Sequence, residues 1–161
     1  MSKSKKHSVK GKFYWAKVFE DNRDMEGWEG VWQDCDGAYV IDIHVNEDEY
    51  SKFLDSGTAR KCKRDAKTGD TVYDDEGLRT IKVIRKHKGP FATASGAPTV
   101  KWRDGTPYDY EAEGAIGNGT TGEVFFTVYE TKAGINGTRL DAVVIDELVT
   151  YEPEDDDEVP V

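Results

Sequence analysis

Apolar and polar residues alternate in several short runs along this chain. Alternation with period two predicts half-buried strands rather than helices. The first run is residues 13–20 (FYWAKVFE). Strict alternation puts Phe13, Trp15, Lys17 and Phe19 on one face and Tyr14, Ala16 and Val18 on the other. Both faces are largely apolar, which predicts a central strand with at least one aromatic near a surface. Residues 39–45 (YVIDIHV) form a second run, with Ile41, Ile43 and Val45 on one face and Val40, Asp42 and His44 on the other. A third run is 78–87 (LRTIKVIRKH), in which Ile81 and Val83 oppose Lys82 and Ile84. Residues 99–103 make a short extended piece. Residues 122–131 (GEVFFTVYET) and 138–151 (TRLDAVVIDELVTY) read as a strand and its return, preceded by the glycine turn Ile116-Gly117-Asn118-Gly119-Thr120.

Between the second and third runs the period changes. Asn46 is placed to cap a short helix over 47–55, with Asn46 and Glu49 at capping-box spacing and acids in the first turn, where the helix dipole favours them. Tyr50, Phe53 and Leu54 give that helix one apolar face. About five strands, one short helix and long loops predict an all-β fold: an OB-like five-stranded Greek-key barrel. The loops are 21–37, 68–77 and the Gly/Pro-rich 89–98. The expected organisation is a flexible basic arm over 1–12, one domain over 13–151, and an acidic tail over 152–161. The tail has no apolar surface to bury and is expected to be disordered.

Length and composition fit this picture. A chain of 161 residues is long enough for one domain with a core. No apolar run approaches the roughly 20 residues of a membrane helix. The N-terminus MSKSKKHSVKGK is basic, but no apolar segment follows it, so it does not read as a secretory signal. Cys35 and Cys62 read as two reduced thiols rather than a disulfide framework.

Charge changes the picture more. The net charge of −10 argues against nucleic acid, but its distribution does not. The tail holds six acids and no base, leaving −4 on the remainder. Residues 58–103 carry twelve Lys/Arg against five Asp/Glu, and the first twelve residues carry five lysines and no acid. Residues 20–55 hold twelve acids and two bases. Such segregation points to contact with a polyanion and a competing acidic segment.

Single-strand binders combine a positive groove for phosphates with aromatic faces for bases. The cations available are Arg60, Lys61, Lys63, Arg64, Lys82, Arg85, Lys86, Lys88, Lys101 and Arg103. Candidate platforms are Tyr14, Trp15, Trp32, Tyr39, Phe91, Trp102, Tyr108 and Tyr110. For any one aromatic, burial in the core is the more common fate. Trp102, between Lys101 and Arg103, is the first choice as a platform, and Phe91 in its Gly/Pro stretch is the second. Tyr14, Trp15 and Tyr108 complete the expected single-strand site.

Catalysis and metal binding find little support. His44, Cys35, Cys62 and His87 show no C-x-x-C or H-x-x-x-H spacing. Asp21, Asp24 and Glu26 would be needed for a metal-dependent nuclease, but a loose acidic loop is more often simply solvated. Gly117 and Gly119 serve turn geometry, and no Walker-type phosphate loop is present. No cofactor, metal or enzymatic activity is expected.

From residue 96 to 151 the chain resembles the single-stranded DNA-binding proteins of tailed bacteriophages. The residues that carry the likeness are Gly96-Ala97-Pro98, the Asp104–Pro107 turn, Ile116-Gly117-Asn118-Gly119-Thr120, and Leu140-Asp141-Ala142-Val143-Val144-Ile145. Val18-Phe19-Glu20 in the opening strand is similar too. Thr120 stands where a serine is commoner. The resemblance implies an OB-fold protein that coats single strands without sequence preference in phage DNA replication, recombination or repair, in the host-cell cytoplasm. It also implies tail contacts to replication or recombination proteins and extends to a homodimer. Glu154, Asp155, Asp156, Asp157 and Glu158 would mimic a phosphate backbone, screen the groove and dock partners. The tail ends Val159-Pro160-Val161 rather than on an aromatic. The rival reading is an acidic protein-binding adaptor that uses the tail and the 20–55 surface.

Overall fold

The computed structural model describes residues 5–19, 24, 37–86, 97–130, 134 and 136–150. Six strands form one sheet: β1 Lys5–Lys17, β2 Ala38–Val45, β3 Arg79–Lys86, β4 Thr99–Trp102, β5 Thr120–Glu130 and β6 Asn136–Glu147. Their order is β3-β2-β1-β5-β6-β4. β1, β2 and β3 pair in sequence, and β5 returns to lie beside β1, which is a Greek key. The sheet curls until β3 approaches β6, where Arg85 donates to the Leu140 carbonyl at 3.1 Å. Among the described residues no ladder joins those two strands, so the barrel is partly open, as OB folds are.

The all-β, OB-like architecture expected from the alternating runs is present, with differences in detail. The short piece at 99–102 is a sixth strand, parallel to β6. A second, one-turn helix follows it. Residues 5–12, read from sequence as part of a flexible arm, are the first half of β1.

β1 organises the barrel. Residues 5–13 pair with β5 and residues 12–17 pair with β2. Gly11 sits where the strand passes between the two ladders. A Cβ there would stand 2.1 Å from the His44 carbonyl oxygen, so a side chain is excluded. The core is filled by the inward rows Val9 and Phe13, Tyr39, Ile41, Ile43 and Val45, Ile81 and Val83, Val124 and Phe126, and Leu140, Val143 and Ile145.

Helix α1 (Glu47–Asp55) covers one end of the barrel, burying Phe53 against Phe126 at a centroid distance of 5.3 Å. Asn46 caps it by accepting the Glu49 N–H at 2.8 Å. The Glu49 carboxylate turns to the Lys10 N–H (2.9 Å) and to Lys52 (3.1 Å). Helix α2 (Tyr110–Glu113) is a single turn capped by Asp109. Among the described residues no helix is long and apolar enough to cross a membrane.

Candidate nucleic-acid interface

The outer face of β1, β2 and β3 follows from register. Tyr14 lies opposite Asp42, and Asp42 opposite Lys82. One step away, Lys12 lies opposite His44, and His44 opposite Thr80. Beyond β3 the basic segment continues the surface: Lys63 donates its N–H to the Thr80 carbonyl at 2.8 Å. From β1 to that segment is three strand spacings, roughly 14 Å.

A bulge in β1 sets what this face presents. The register steps from Tyr14↔Asp42 to Lys17↔Val40, so β1 carries one extra residue there. The alternation of the first run therefore breaks. Phe13 faces inward, and so do Ala16 and Val18, while the two adjacent aromatics Tyr14 and Trp15 both escape the core. Trp15 is 66% exposed. It was expected on the same face as Phe13, and the inserted residue is the reason it is not. Its φ of 50° is the only positive value at a non-glycine among the described residues. That left-handed conformation costs a side-chain-bearing residue about 1–2 kcal/mol.

The glycine turn supports this bulge. Asn118 Oδ1 accepts the Trp15 N–H at 2.8 Å, and the Gly119 N–H donates to the Phe13 carbonyl at 2.9 Å. The turn is anchored in its own right. Gly117 donates to the Val149 carbonyl at 2.7 Å, and a Cβ at Gly117 would stand 2.3 Å from that oxygen. The Thr120 hydroxyl donates to the Gly117 carbonyl at 2.8 Å and accepts the Val149 N–H at 2.8 Å.

Tyr14 lies on the same face with its ring stacked on His44, centroids 3.9 Å apart and planes at 27°. His44 Nδ1 meets Asp74 Oδ2 at 2.6 Å. Burial raises the Asp74 pKa, but hydrogen bonds from the Leu78 N–H, His44 and the Glu76 N–H outweigh it and hold the carboxyl below its ordinary value.

The predicted cations differ in their surroundings. Lys61, Lys63 and Arg64 are exposed and form no ion pair among the described residues. Others are engaged. Lys82 meets Asp42 at 3.1 Å, and Arg85 lies 3.8 Å from Asp141 besides its bond to β6. Arg103 holds Asp146 through Nε (2.7 Å) and Nη2 (3.1 Å) and Glu123 through Nη1 (2.9 Å). Those carboxylates raise the Arg103 pKa, so it is a permanent cation already matched by two acids. Arg60 is half-buried, and burial lowers its pKa. Lys101 is half-buried on β4. Lys86 ends β3 opposite Ala38. Lys88, Phe91, Trp32 and the tail residues Glu154, Asp155, Asp156, Asp157 and Glu158 lie outside the described residues.

Three aromatics expected as platforms are packed inside or against the core. Tyr39 is fully buried. Tyr108 is 9% exposed, donates its hydroxyl to the Gly114 carbonyl at 2.6 Å, and has its pKa pushed up to about 12 by burial, with Glu113 adding to the rise. Trp102 is half-buried against the core, 5.7 Å from Tyr108 by ring centroids. Neither Tyr39 nor Tyr108 offers a free ring face, because each completes the core at the end of a strand or turn. Tyr110 packs beside Phe19 at 4.5 Å.

Sequence reasoning passed over Lys12, Lys17, Tyr73 and Arg79. Lys12 extends from the outer face to Glu76, and Lys17 is exposed just past the bulge. Arg79 lies over both Tyr50 (5.1 Å) and Tyr73 (5.2 Å), leaving Tyr73 52% exposed. Lys12 was hidden by its assignment to the arm; Tyr73 sits in a polar loop with no periodic signal. Of the zinc candidates, His44 is held by Asp74 and Cys62 is buried, while Cys35 and His87 lie outside the described residues.

No protein-family model matches the chain, and no curated protein matches it by sequence. Solved structures do. The chain is similar to the single-stranded DNA-binding protein from bacteriophage Enc34 (TM-score 0.53, 16% identity, 92% of this chain and 85% of that one). It is likewise similar to that protein in complex with ssDNA (TM-score 0.52, 15% identity, 92% and 89% coverage). A further similar structure is gp2.5, a single-stranded DNA-binding protein of bacteriophage T7 (TM-score 0.48, 15% identity, 97% and 92% coverage). At such identities the likeness is one of fold: the chain resembles phage single-stranded DNA-binding proteins in its OB-type barrel.

Proposed function

We propose that this protein binds single-stranded DNA without sequence preference, on the outer face of β1–β2–β3 and the basic segment beside it. Trp15 carries the reading. A tryptophan two-thirds exposed on an unfavourable backbone serves no packing purpose in the barrel, and it borders a face flanked by exposed cations. Bases stack on such a ring whatever their identity, and lysines and arginines meet phosphates without reading sequence. Lys61, Lys63 and Arg64 are the phosphate contacts, with Lys17 and Lys82 beside the platforms. Lys88 and Phe91 remain part of the proposed site. The fold shared with the Enc34 protein, whose structure with ssDNA is known, supports the reading.

On this reading the protein coats and protects single strands during phage DNA replication, recombination or repair. The acidic tail screens the basic face when DNA is absent and docks partner proteins. It acts as a binding protein rather than an enzyme.

The test is titration of the full chain with oligo-dT, with duplex of equal length as control, followed by tryptophan fluorescence at two salt concentrations. Quenching by the single strand alone, weakened by salt, is the expected result. Equal affinity for duplex, or no binding at low salt, overturns the proposal and favours a protein-binding adaptor.

A further inference from the structure

We infer that Asn118 is a positioning residue, holding Trp15 in the left-handed bulge conformation that turns its indole outward and so setting the base-stacking platform. The inference rests on the single-strand reading above and adds the device that aims the ring.

Three observations carry it. A bulged residue loses its place in the ladder, so its N–H needs another acceptor. Asn118 Oδ1 supplies one at 2.8 Å from a residue 103 positions away. Of the amide's two ends only the oxygen accepts, which settles its orientation. Second, Asn118 is itself exposed and fills no core position. Third, the support is continuous: Thr120 and Gly117 tie the turn to Val149, Gly119 ties it to Phe13, and Asn118 ties it to Trp15. The segment that follows β6, at Val149, thus braces through the turn the one strained non-glycine residue of β1.

The test labels the full chain with 5-fluorotryptophan. Its four tryptophans give four fluorine resonances, and Trp15→Phe identifies that of Trp15. Asn118→Ala is expected to move or broaden the Trp15 resonance and leave Trp102 in place. It is also expected to lower affinity for oligo-dT about fivefold, the equivalent of one hydrogen bond. Asn118→Asp keeps an acceptor oxygen and is expected to hold the Trp15 resonance where it stands. In a Trp15→Ala background, Asn118→Ala should cost no further affinity. Asn118→Ser, too short to reach the same N–H, carries the same expectation should the alanine variant fail to fold. An unmoved Trp15 resonance, or an equal loss of affinity in both backgrounds, overturns the positioning role. Wild-type protein that ignores oligo-dT overturns the functional reading instead, and the ligand-free spectra still decide whether Asn118 holds the ring.

Discussion

The side chain of Asn118 accepts the backbone N–H of Trp15 at 2.8 Å. A glycine turn before β5 and an exposed aromatic at the end of β1 are therefore one structural unit. The strain at Trp15 is local, while its support comes from the turn before β5 and from Val149 after β6. Strain maintained by surrounding structure at an exposed residue is a pattern of functional sites.

Trp15→Gly should separate function from stability. Glycine adopts φ +50° without penalty, so stability should hold or rise by up to about 1 kcal/mol. Affinity for oligo-dT should fall by about 1–3 kcal/mol as a stacking face is lost. Thermal unfolding and fluorescence anisotropy, run side by side, check both halves.

Salt should report how many cations contact phosphate. For single strands, the logarithm of affinity falls against the logarithm of salt with a slope of about −0.7 per phosphate neutralised. Neutralising Lys61, Lys63 or Arg64 should each lower the slope by about that amount. Neutralising Arg103, whose guanidinium is held by Glu123 and Asp146, should leave the slope unchanged. A salt titration of each variant measures this directly.

Removal of residues 152–161 should strengthen single-strand binding, because six acids no longer compete for the basic face. The gain should be largest at low ionic strength and fade as the Debye length shortens to about 8 Å at physiological salt. Affinity unchanged at low salt would mean that the tail does not screen this face.

Acid should expose the role of Arg103 in holding the barrel wall. The Arg103 hydrogen bond lowers the Asp146 pKa. Burial raises that of Glu123, but hydrogen bonds from Ser8 and Arg103 outweigh it, so it too is lowered. Both groups titrate lower in the fold than in the unfolded chain. Their contribution is therefore complete above the ordinary carboxylate range and is lost as pH falls through the folded values. The melting temperature should drop below about pH 4. Arg103→Ala should cost about 1–2 kcal/mol at neutral pH, since Glu123 is nearly buried but Arg103 is half-exposed. It should also make the acid decline shallower. Melting curves across pH test the sign.

The turn should tolerate Thr120→Ser and reject Thr120→Val. Serine keeps the hydroxyl that donates to Gly117 and accepts from Val149. Valine removes both hydroxyl bonds: the Val149 N–H loses its acceptor, while the Gly117 carbonyl keeps the Thr120 N–H at 3.3 Å, so the cost should be about 1 kcal/mol. Denaturant unfolding of the two variants distinguishes them.

Alternation in the sequence identified β2, β3, β5 and β6 and the inward rows Ile41–Ile43–Val45 and Ile81–Val83, because period two is a local property of a pleated strand. Asn46 marked the start of α1 for an equally local reason, a side chain reaching three residues ahead. The same rule misplaced Trp15. One extra residue in β1 reverses the phase of everything after it, and nothing in the neighbouring sequence signals a bulge.

What the sequence determined by itself was the set of parts: alternating strands, a capped helix, a glycine turn, segregated charge and a surplus of aromatics. Tertiary structure alone decided which parts are available. Arg103 and Asp146 lie 43 residues apart, yet their pairing removes that cation from the free set. Lys61, Lys63 and Arg64, from the same basic stretch, remain exposed. Tyr39 went inside and Trp15 went out, because strand register, set by pairing between distant segments, determines which face of a pleat meets the core.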